Sequence, residues 1–569
     1  MPILSLTGQT SLLFDVGIII IVATIIALLI SIIKQPPIPA YIIAGIILGP
    51  LGLGLISDIE FIHLISEVGV AFLLFLVGLE INLKRLKYIG LVSSIGAGIQ
   101  VFLTYVITFF VSLKLGFTTF ESMVLGLVLA FSSTMVVIKL LSDKEELDTL
   151  NGRMALGILL VQDIIVILIL SLMSPVSSIF SSNAILLSVF RGVLLFVIAL
   201  VISKVLLPPL FRFAAKSKEI LFLLSISVLF LFTFLVKSLD FSIAIGGFVA
   251  GLTLASFPYN LDIIGRVRPL KDFFSTVFFV SLGMQLTLIS SSMIKPALIF
   301  LAIIIIIKPL IIFLTTLLFG FGRRIAFLTG TELAQLSEFS LIIVALPFVT
   351  SNISREIFST IILLTIITMG ATPYLIKHDE KIYLSLARVL KIFDRLPVKK
   401  QKLEYTKRGI NYNVALIGCH RMGSIFLKAL QSKKNKVLVI DNNPDVIRKL
   451  IKMRVSCMYG DLTNSEILER IKLNKIRTII STVPNEEDNE FLLDYAKSKN
   501  SNIIIILTAN HLHQARELYN KGADYVILPH ILSGEKLSIM LKNVVNKKES
   551  IARIRKEHLK HIDSIDFFK

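Results

Sequence analysis

The chain has 569 residues, of which 55% are hydrophobic and only 17% charged, against roughly 25% charge in an ordinary soluble protein. So apolar a chain cannot stay in water as one globule, which excludes a fully soluble enzyme, a disordered chain and a disulfide scaffold. Its 58 Lys and Arg against 39 Asp and Glu give a net charge of +19, a balance that by itself points to nucleic acid or an anionic membrane surface.

The charge is distributed unevenly. Up to Lys377 there are 23 basic and 18 acidic residues, about +5, so about +14 falls on the remainder. A basic cytosolic part beneath an anionic leaflet accounts for this without nucleic acid. Both cysteines, Cys419 and Cys457, lie in that part and read as reduced and cytosolic.

The part up to residue 380 is a series of apolar stretches, each near the length that crosses roughly 30 Å of hydrocarbon at about 1.5 Å per residue. Thirteen spans are expected, at 14–33, 39–54, 63–82, 90–113, 121–142, 153–173, 184–206, 219–237, 240–257, 272–289, 294–318, 325–349 and 355–377. One long bent helix over 219–257 is the alternative to two spans there. The first span has no basic segment before it and no small-residue cleavage site, so it does not read as a cleavable signal.

Loops after odd-numbered spans carry the basic residues, among them Lys84, Arg85, Lys87, Arg212, Lys216, Arg266, Arg268, Arg323 and Arg324. Loops after even-numbered spans hold little beyond Lys114, Lys237, Lys295 and Arg355. The bias predicts an N-terminus outside and a C-terminal domain in the cytoplasm.

An internal repeat is visible. Gly45 and Gly49 of the second span match Gly247 and Gly251 of the ninth, at an offset of 202. Val77-Gly78-Leu79-Glu80 in the third matches Leu282-Gly283-Met284-Gln285 in the tenth, at an offset of 205. Seven spans separate the copies, so the halves are inverted, an arrangement found in secondary transporters. Chance similarity of glycine-containing helices is the alternative.

The repeat pairs the fifth span, with Ser132, Ser133 and Thr134, with the twelfth, with Glu332, Gln335, Ser337 and Glu338. Both place small polar residues mid-membrane, where a helix can open and present carbonyl oxygens and N–H groups. Hydroxyls bonded back to their own helix are the bland reading.

The sixth span carries Gln162-Asp163 amid apolar residues. An acid at the bilayer centre costs at least about 2.5 kcal/mol on insertion scales and persists with a role or a partner. Asp163 can hold a cation or a proton but not both, which is the competition an antiporter requires. Gln162 adds a neutral carbonyl ligand. Lys308, on the eleventh span, is a candidate partner for Asp163 when the cation is absent; a structural ion pair is the alternative. Glu67, Glu80 and Glu338 read as residues nearer span ends.

The chain resembles the monovalent cation:proton antiporter-2 family, in particular Kef-type potassium:proton antiporters. The resemblance rests on Pro39–Pro50, Glu67–Gly69 through Glu80, Gln162-Asp163, Phe278–Met284 and Leu333–Phe339. Gln-Asp is the pair typical of Kef-type members, where sodium:proton relatives commonly have Asp-Asp. The resemblance implies a homodimer, a dimerisation domain, a core domain with crossed broken helices, and elevator-type alternating access.

After a basic linker at 381–410, the stretch 411–531 alternates short β runs with helical patterns. The runs are 414–417, 437–440, 455–459, 477–480, 503–507 and 525–528. This predicts a mostly parallel, doubly wound, Rossmann-like sheet. The turn Gly418-Cys419-His420-Arg421-Met422-Gly423 at a helix start can receive phosphate, and Asp441, with Asn442 after it, stands where ribose hydroxyls would be held. His420 occupies the position where glycine lets a pyrophosphate approach.

This region resembles the regulator-of-potassium-conductance N-terminal domain, with Gly460-Asp461 and Gly522-Ala523-Asp524 as its later turns. The resemblance implies an adenine nucleotide that gates the transporter. His420 favours AMP, with ATP or NAD(H) as alternatives. A dimerisation domain that binds no nucleotide is the other reading. A helix and charged tail at 532–569 complete the chain.

The expectation is a potassium:proton antiporter of a prokaryotic plasma membrane, not an enzyme. The alternatives are sodium:proton exchange on the same scaffold and a nucleotide-gated cation channel, although no Thr-Val-Gly-Tyr-Gly filter is present. A membrane-tethered dehydrogenase lacks a substrate domain.

Overall fold

The computed structural model describes the chain from Gly8 to Val544, together with Arg555. Outside the described residues are 57–58, 81–90, 174–193, 396–403, 407–410, 433–435, 461–464 and isolated positions 145, 148, 196, 200, 240, 242, 256, 472 and 484. The chain forms two compact units, a helical one up to residue 400, without 148–150, and a second comprising 401–569 with those three residues.

In the helical unit, helices fall on every expected stretch; of the seventh, 184–193 lies outside the described residues and the described part from 194 on is helical. The stretch 219–257 is two helices, Lys218–Ser238 and Ile243–Ala255, with the Phe241 N–H donated to Val236 O at the turn. Among the described residues, eight helices are long and apolar enough to span a membrane. Pro37–Leu48 and Ile243–Ala255 are apolar but shorter.

Two wide π-turns, Ile202–Leu206 and Ile303–Ile307, each run directly into a proline-bearing helix start, at Pro208 and Pro309. Proline lacks an N–H and its ring crowds the preceding turn. A widened turn absorbs that mismatch without breaking the helix.

The repeat has a physical counterpart. A side chain on Gly45 would strike Val280 O and the Gly283 Cα, so helices Pro37–Leu48 and Asn260–Met284 touch backbone to backbone. Gly247 meets Ala71 O, and Gly251 meets Phe75 O and the Gly78 Cα, so Ile243–Ala255 approaches Ile59–Glu80 in the same way. The second helix of each half therefore packs on the third helix of the other. Without a hydrophobic force between helices in lipid, such close approach maximises dispersion contact. Beyond these glycines, the largest apolar core runs from Leu73 and Leu125 to Ile343 and Ile362 and wraps the two broken helices described below.

The second unit carries a seven-stranded sheet in the order β1-β4-β3-β2-β5-β6-β7. Its strands are β1 (Glu404–Tyr405), β2 (Val414–Ile417), β3 (Val437–Asp441), β4 (Cys457–Tyr459), β5 (Thr478–Ser481), β6 (Ile504–Thr508) and β7 (Tyr525–Ile527). All pairings are parallel except β1 with β4. The order of β2 to β7 is that of a doubly wound dinucleotide fold, and it reverses between β2 and β5.

The stretch expected to be a linker is more ordered than its charge implied. Helix Arg355–Leu390 continues through it to a 3₁₀ turn at Lys391–Arg395, and β1 lies inside it. The helix persists because Asp379 and Tyr383 are buried along one face and, after Pro373 within the helix, no proline occurs before Pro397.

Candidate functional site

Two helices are broken mid-span. Thr119–Ala130 gives way to Thr134–Asp143 through Phe131–Ser133, and Arg323–Glu332 to Glu338–Ala345 through Leu333–Ser337. The breaks touch. The Ser132 hydroxyl donates to Leu333 O at 2.9 Å, the Gln335 amide to Ser133 O at 3.5 Å, and the Ser340 hydroxyl to Val128 O at 2.7 Å.

A break exposes backbone groups that hydrocarbon cannot satisfy, so the protein must. Lys308 Nζ, with no solvent exposure, donates to Phe131 O at 2.7 Å and Gln335 O at 2.8 Å, one carbonyl from each break. The Gln162 carbonyl accepts the Ser132 N–H at 3.0 Å, and its amide donates to Gln100. Gln100 in turn donates to Ala130 O at 2.9 Å. For the second break, the Thr368 hydroxyl accepts the Leu336 N–H at 3.2 Å and Thr372 donates to the Gln335 side chain at 3.3 Å. Ser133 and Ser337 cap the half-helices that follow.

Asp163, on helix Leu150–Met173, stands at this crossing. The Thr134 hydroxyl lies 2.9 and 3.1 Å from its two carboxylate oxygens. Asp163, Gln162, Ser132, Ser133, Thr134 and Lys308 are thus brought together.

Three expectations change in detail. Lys308 is not the partner of Asp163 in this conformation, because two orphaned carbonyls claim its ammonium. Gln162 does not present a free carbonyl, because that oxygen holds the Ser132 N–H. Glu338 is no span-end charge: it is buried, begins the second half-helix, and lies within electrostatic reach of Asp163. Glu80, by contrast, is exposed and pairs with Arg268 at 3.2 Å.

Sequence reading missed Gln100, Thr368 and Thr372, and it named Glu332 in the twelfth span without its buried partner Asn151, whose Nδ2 lies 2.7 Å from the Glu332 Oε1. The signal was there for Gln100 alone, an amide inside an apolar run. Threonines occur in many membrane helices without such a role. Both broken helices are tied to the long last helix, Lys144 to Asp379 at 3.1 Å and Arg324 to Glu380.

In the second unit, the glycine-rich turn leads from β2 into helix Arg421–Ser432. Gly418 has φ +79°, and a side chain on Gly423 would strike Gly418 O. The first glycine therefore makes the turn and the last lets the helix close on the strand. His420 is exposed, Met422 half-buried and Cys419 buried. Thr482, after β5, donates to Gly418 O at 3.1 Å across the point where the strand order reverses.

Asp441 ends β3 but faces inward. Its Oδ2 accepts the Cys419 N–H at 2.6 Å and its Oδ1 the Asn443 N–H at 2.7 Å. Burial raises its carboxyl above the usual range, and these two N–H groups pull it partly back. The residue expected to hold ribose already holds the glycine-rich turn in shape. Asn442 is exposed beside it, Gly460 donates to Asp441 O at 3.1 Å, and Asp461 lies outside the described residues.

Residues 18–377 match the profile of the sodium/hydrogen exchanger transmembrane family, and residues 414–529 that of the TrkA-N domain. The chain is 28% identical over 527 residues to the "Putative cation/proton antiporter YbaL" of Escherichia coli (strain K12), covering 90% of this chain and 93% of that one. The sodium proton antiporter MjNhaP1 of Methanocaldococcus jannaschii is 19% identical over 67% of this chain and 99% of its own, with a TM-score of 0.50, a likeness of fold. The TrkA-N domain of the E. coli inner membrane protein YbaL is 23% identical over 23% of this chain and 98% of its own, with a TM-score of 0.23. With a family profile spanning most of its length and two crossed, broken helices at its centre, the chain belongs to the sodium/hydrogen exchanger family and is a multi-pass membrane cation/proton antiporter with a C-terminal TrkA-N domain.

Proposed function

We propose that the transported cation is potassium, exchanged for protons at Asp163 under control of an adenine nucleotide on the C-terminal domain. The observation that carries the reading is the carboxylate of Asp163 at the crossing of two opened helices, beside hydroxyls and main-chain carbonyls that can replace water around an ion. Proton and cation compete for that carboxylate. Binding of one requires release of the other, and this couples the fluxes.

Gln162 keeps the position next to Asp163 neutral while it holds the break open. A weaker field at the site favours the more easily dehydrated cation, hence potassium over sodium. The exchanger works as a homodimer in the plasma membrane, with its N-terminus outside and the TrkA-N domain in the cytoplasm. The core carrying both breaks moves as an elevator between the two faces.

The turn Gly418–Gly423 offers helix N–H groups to a phosphate, and the exposed His420 crowds a second phosphate, which favours AMP over a dinucleotide. Nucleotide changes transport only by as much as its affinities for two states of the protein differ.

The experiment is cation-gradient-driven proton flux in proteoliposomes. Potassium should drive faster exchange than sodium at equal gradients. Equal or faster sodium-driven flux reassigns the cation, and no flux with either removes the exchange reading.

A further inference from the structure

Glu338 has no part in the mechanism so far, yet its place is unusual. It is 3% exposed, opens the half-helix Glu338–Ala345, and its Oε2 has no hydrogen-bond partner among the described residues. The Ser133 hydroxyl lies beside its carboxyl, while the next residue, Thr134, holds Asp163. Two consecutive hydroxyls of one broken helix thus present two carboxyl groups, one from helix Leu150–Met173 and one from the opposite break.

A buried acid with an idle oxygen is costly unless a proton or a cation occupies it. Among the described residues, the charged groups around the pair supply no dedicated counter-ion. Lys308 is spent on two carbonyls. Lys271 lies within electrostatic reach of Glu338 but pairs with its neighbour Asp272 at 2.7 Å. Glu80, within reach of Asp163, is bound to Arg268.

We propose that Glu338 is a second proton-exchanging ligand of the cation site, so that one cation displaces two protons, one from Asp163 and one from Glu338. This rests on the reading of Asp163 as the ion carboxylate.

The charges balance. With both acids ionised, the Lys308 ammonium leaves the site at −1, and a monovalent cation brings it to zero. When the cation leaves, two protons neutralise both carboxyls and the site stands at +1. The empty, doubly protonated site therefore carries one more positive charge than the loaded one, and exchange moves net charge across the membrane. The field on the cation is that of one net negative charge, so a weakly dehydrating site for a large ion is preserved.

The test counts protons released per potassium ion bound by the full-length protein in detergent. Titration calorimetry in buffers of different ionisation enthalpy gives the count, repeated from acid to alkaline pH. Wild type should reach a maximum of two, Glu338→Gln a maximum of one with binding retained, and Asp163→Asn should lose the Asp163 proton and most of its affinity. A wild-type maximum of one that vanishes in Asp163→Asn keeps the Asp163 reading and overturns this one. No potassium binding by wild type overturns both.

If Glu338→Gln does not fold, the wild-type count still decides, together with a second measurement. Potassium-driven proton uptake into proteoliposomes should be accelerated or slowed several-fold by an imposed membrane potential. Exchange indifferent to the potential overturns the two-proton count.

Discussion

Lys308 shows how a single side chain sets the state of a membrane site. It satisfies one carbonyl from each break, and charge-assisted hydrogen bonds are worth roughly 1.5–3 kcal/mol apiece. Lys308→Met should therefore cost about 3 kcal/mol or more, which at ~2 °C per kcal/mol lowers the melting temperature in detergent by about 6 °C or more. An unchanged melting temperature would mean the carbonyls find other donors. The two cysteines give a second residue-level outcome. Burial pushes Cys419 up to about 12, helped by the neighbouring Asp441 carboxylate, and burial pushes Cys457 up to about 11. The thiolate is the reactive form, so near-neutral alkylation of Cys419 in the native protein should be about a thousandfold slower than that of an ordinary thiol. Rapid labelling by iodoacetamide before unfolding would place Cys419 in a different environment.

At the scale of elements, the helices that form the inverted halves are fixed by glycine contacts. Gly45→Val and Gly251→Val each drive a side chain into the backbone of a facing helix, at Val280–Met284 and Phe75–Leu79. Neither backbone can yield without separating the helices. Both variants should be lost from detergent gel filtration as monodisperse protein. Gly98→Ala has open space around it and should behave as wild type. The same glycines made the repeat readable in sequence, because a position that admits no side chain stays recognisable at a fixed offset. The strands of the second unit were equally legible, since buried parallel strands are short unbroken apolar runs. β1 was not: two residues, Glu404 and Tyr405, carry no periodicity. Glu338 was misread for a related reason. Position along an apolar stretch measures depth only if the helix is continuous, and this one opens five residues earlier, at Leu333.

At the scale of the whole molecule, one chain joins the exchanger unit to a TrkA-N domain. The turn and Asp441 were both legible, but the inward rotation of the Asp441 carboxylate was not, because local sequence does not say which backbone N–H an acid will find. Removing it should matter twice over. Asp441→Ala loses the bond that shapes the turn as well as any contact to ribose, and at roughly 1.5–3 kcal/mol per charge-assisted bond it should weaken AMP by about tenfold to a hundredfold. Calorimetric titration of AMP, ATP and NADH into the full-length protein and the variant measures this. Binding of none of them would leave the domain a structural one, and unchanged affinity in Asp441→Ala would move the nucleotide away from this turn.

In the proposed exchange, Asp163 alternates between a proton and a cation where the broken helices cross. Asp163→Asn keeps the size and the Thr134 contact but can neither take up nor give up a proton in the working range. In proteoliposomes with an imposed potassium gradient, wild type should acidify or alkalinise the lumen according to the gradient's direction, and a correctly folded Asp163→Asn should not differ from empty liposomes. Proton flux at the wild-type rate in that variant would contradict that alternation.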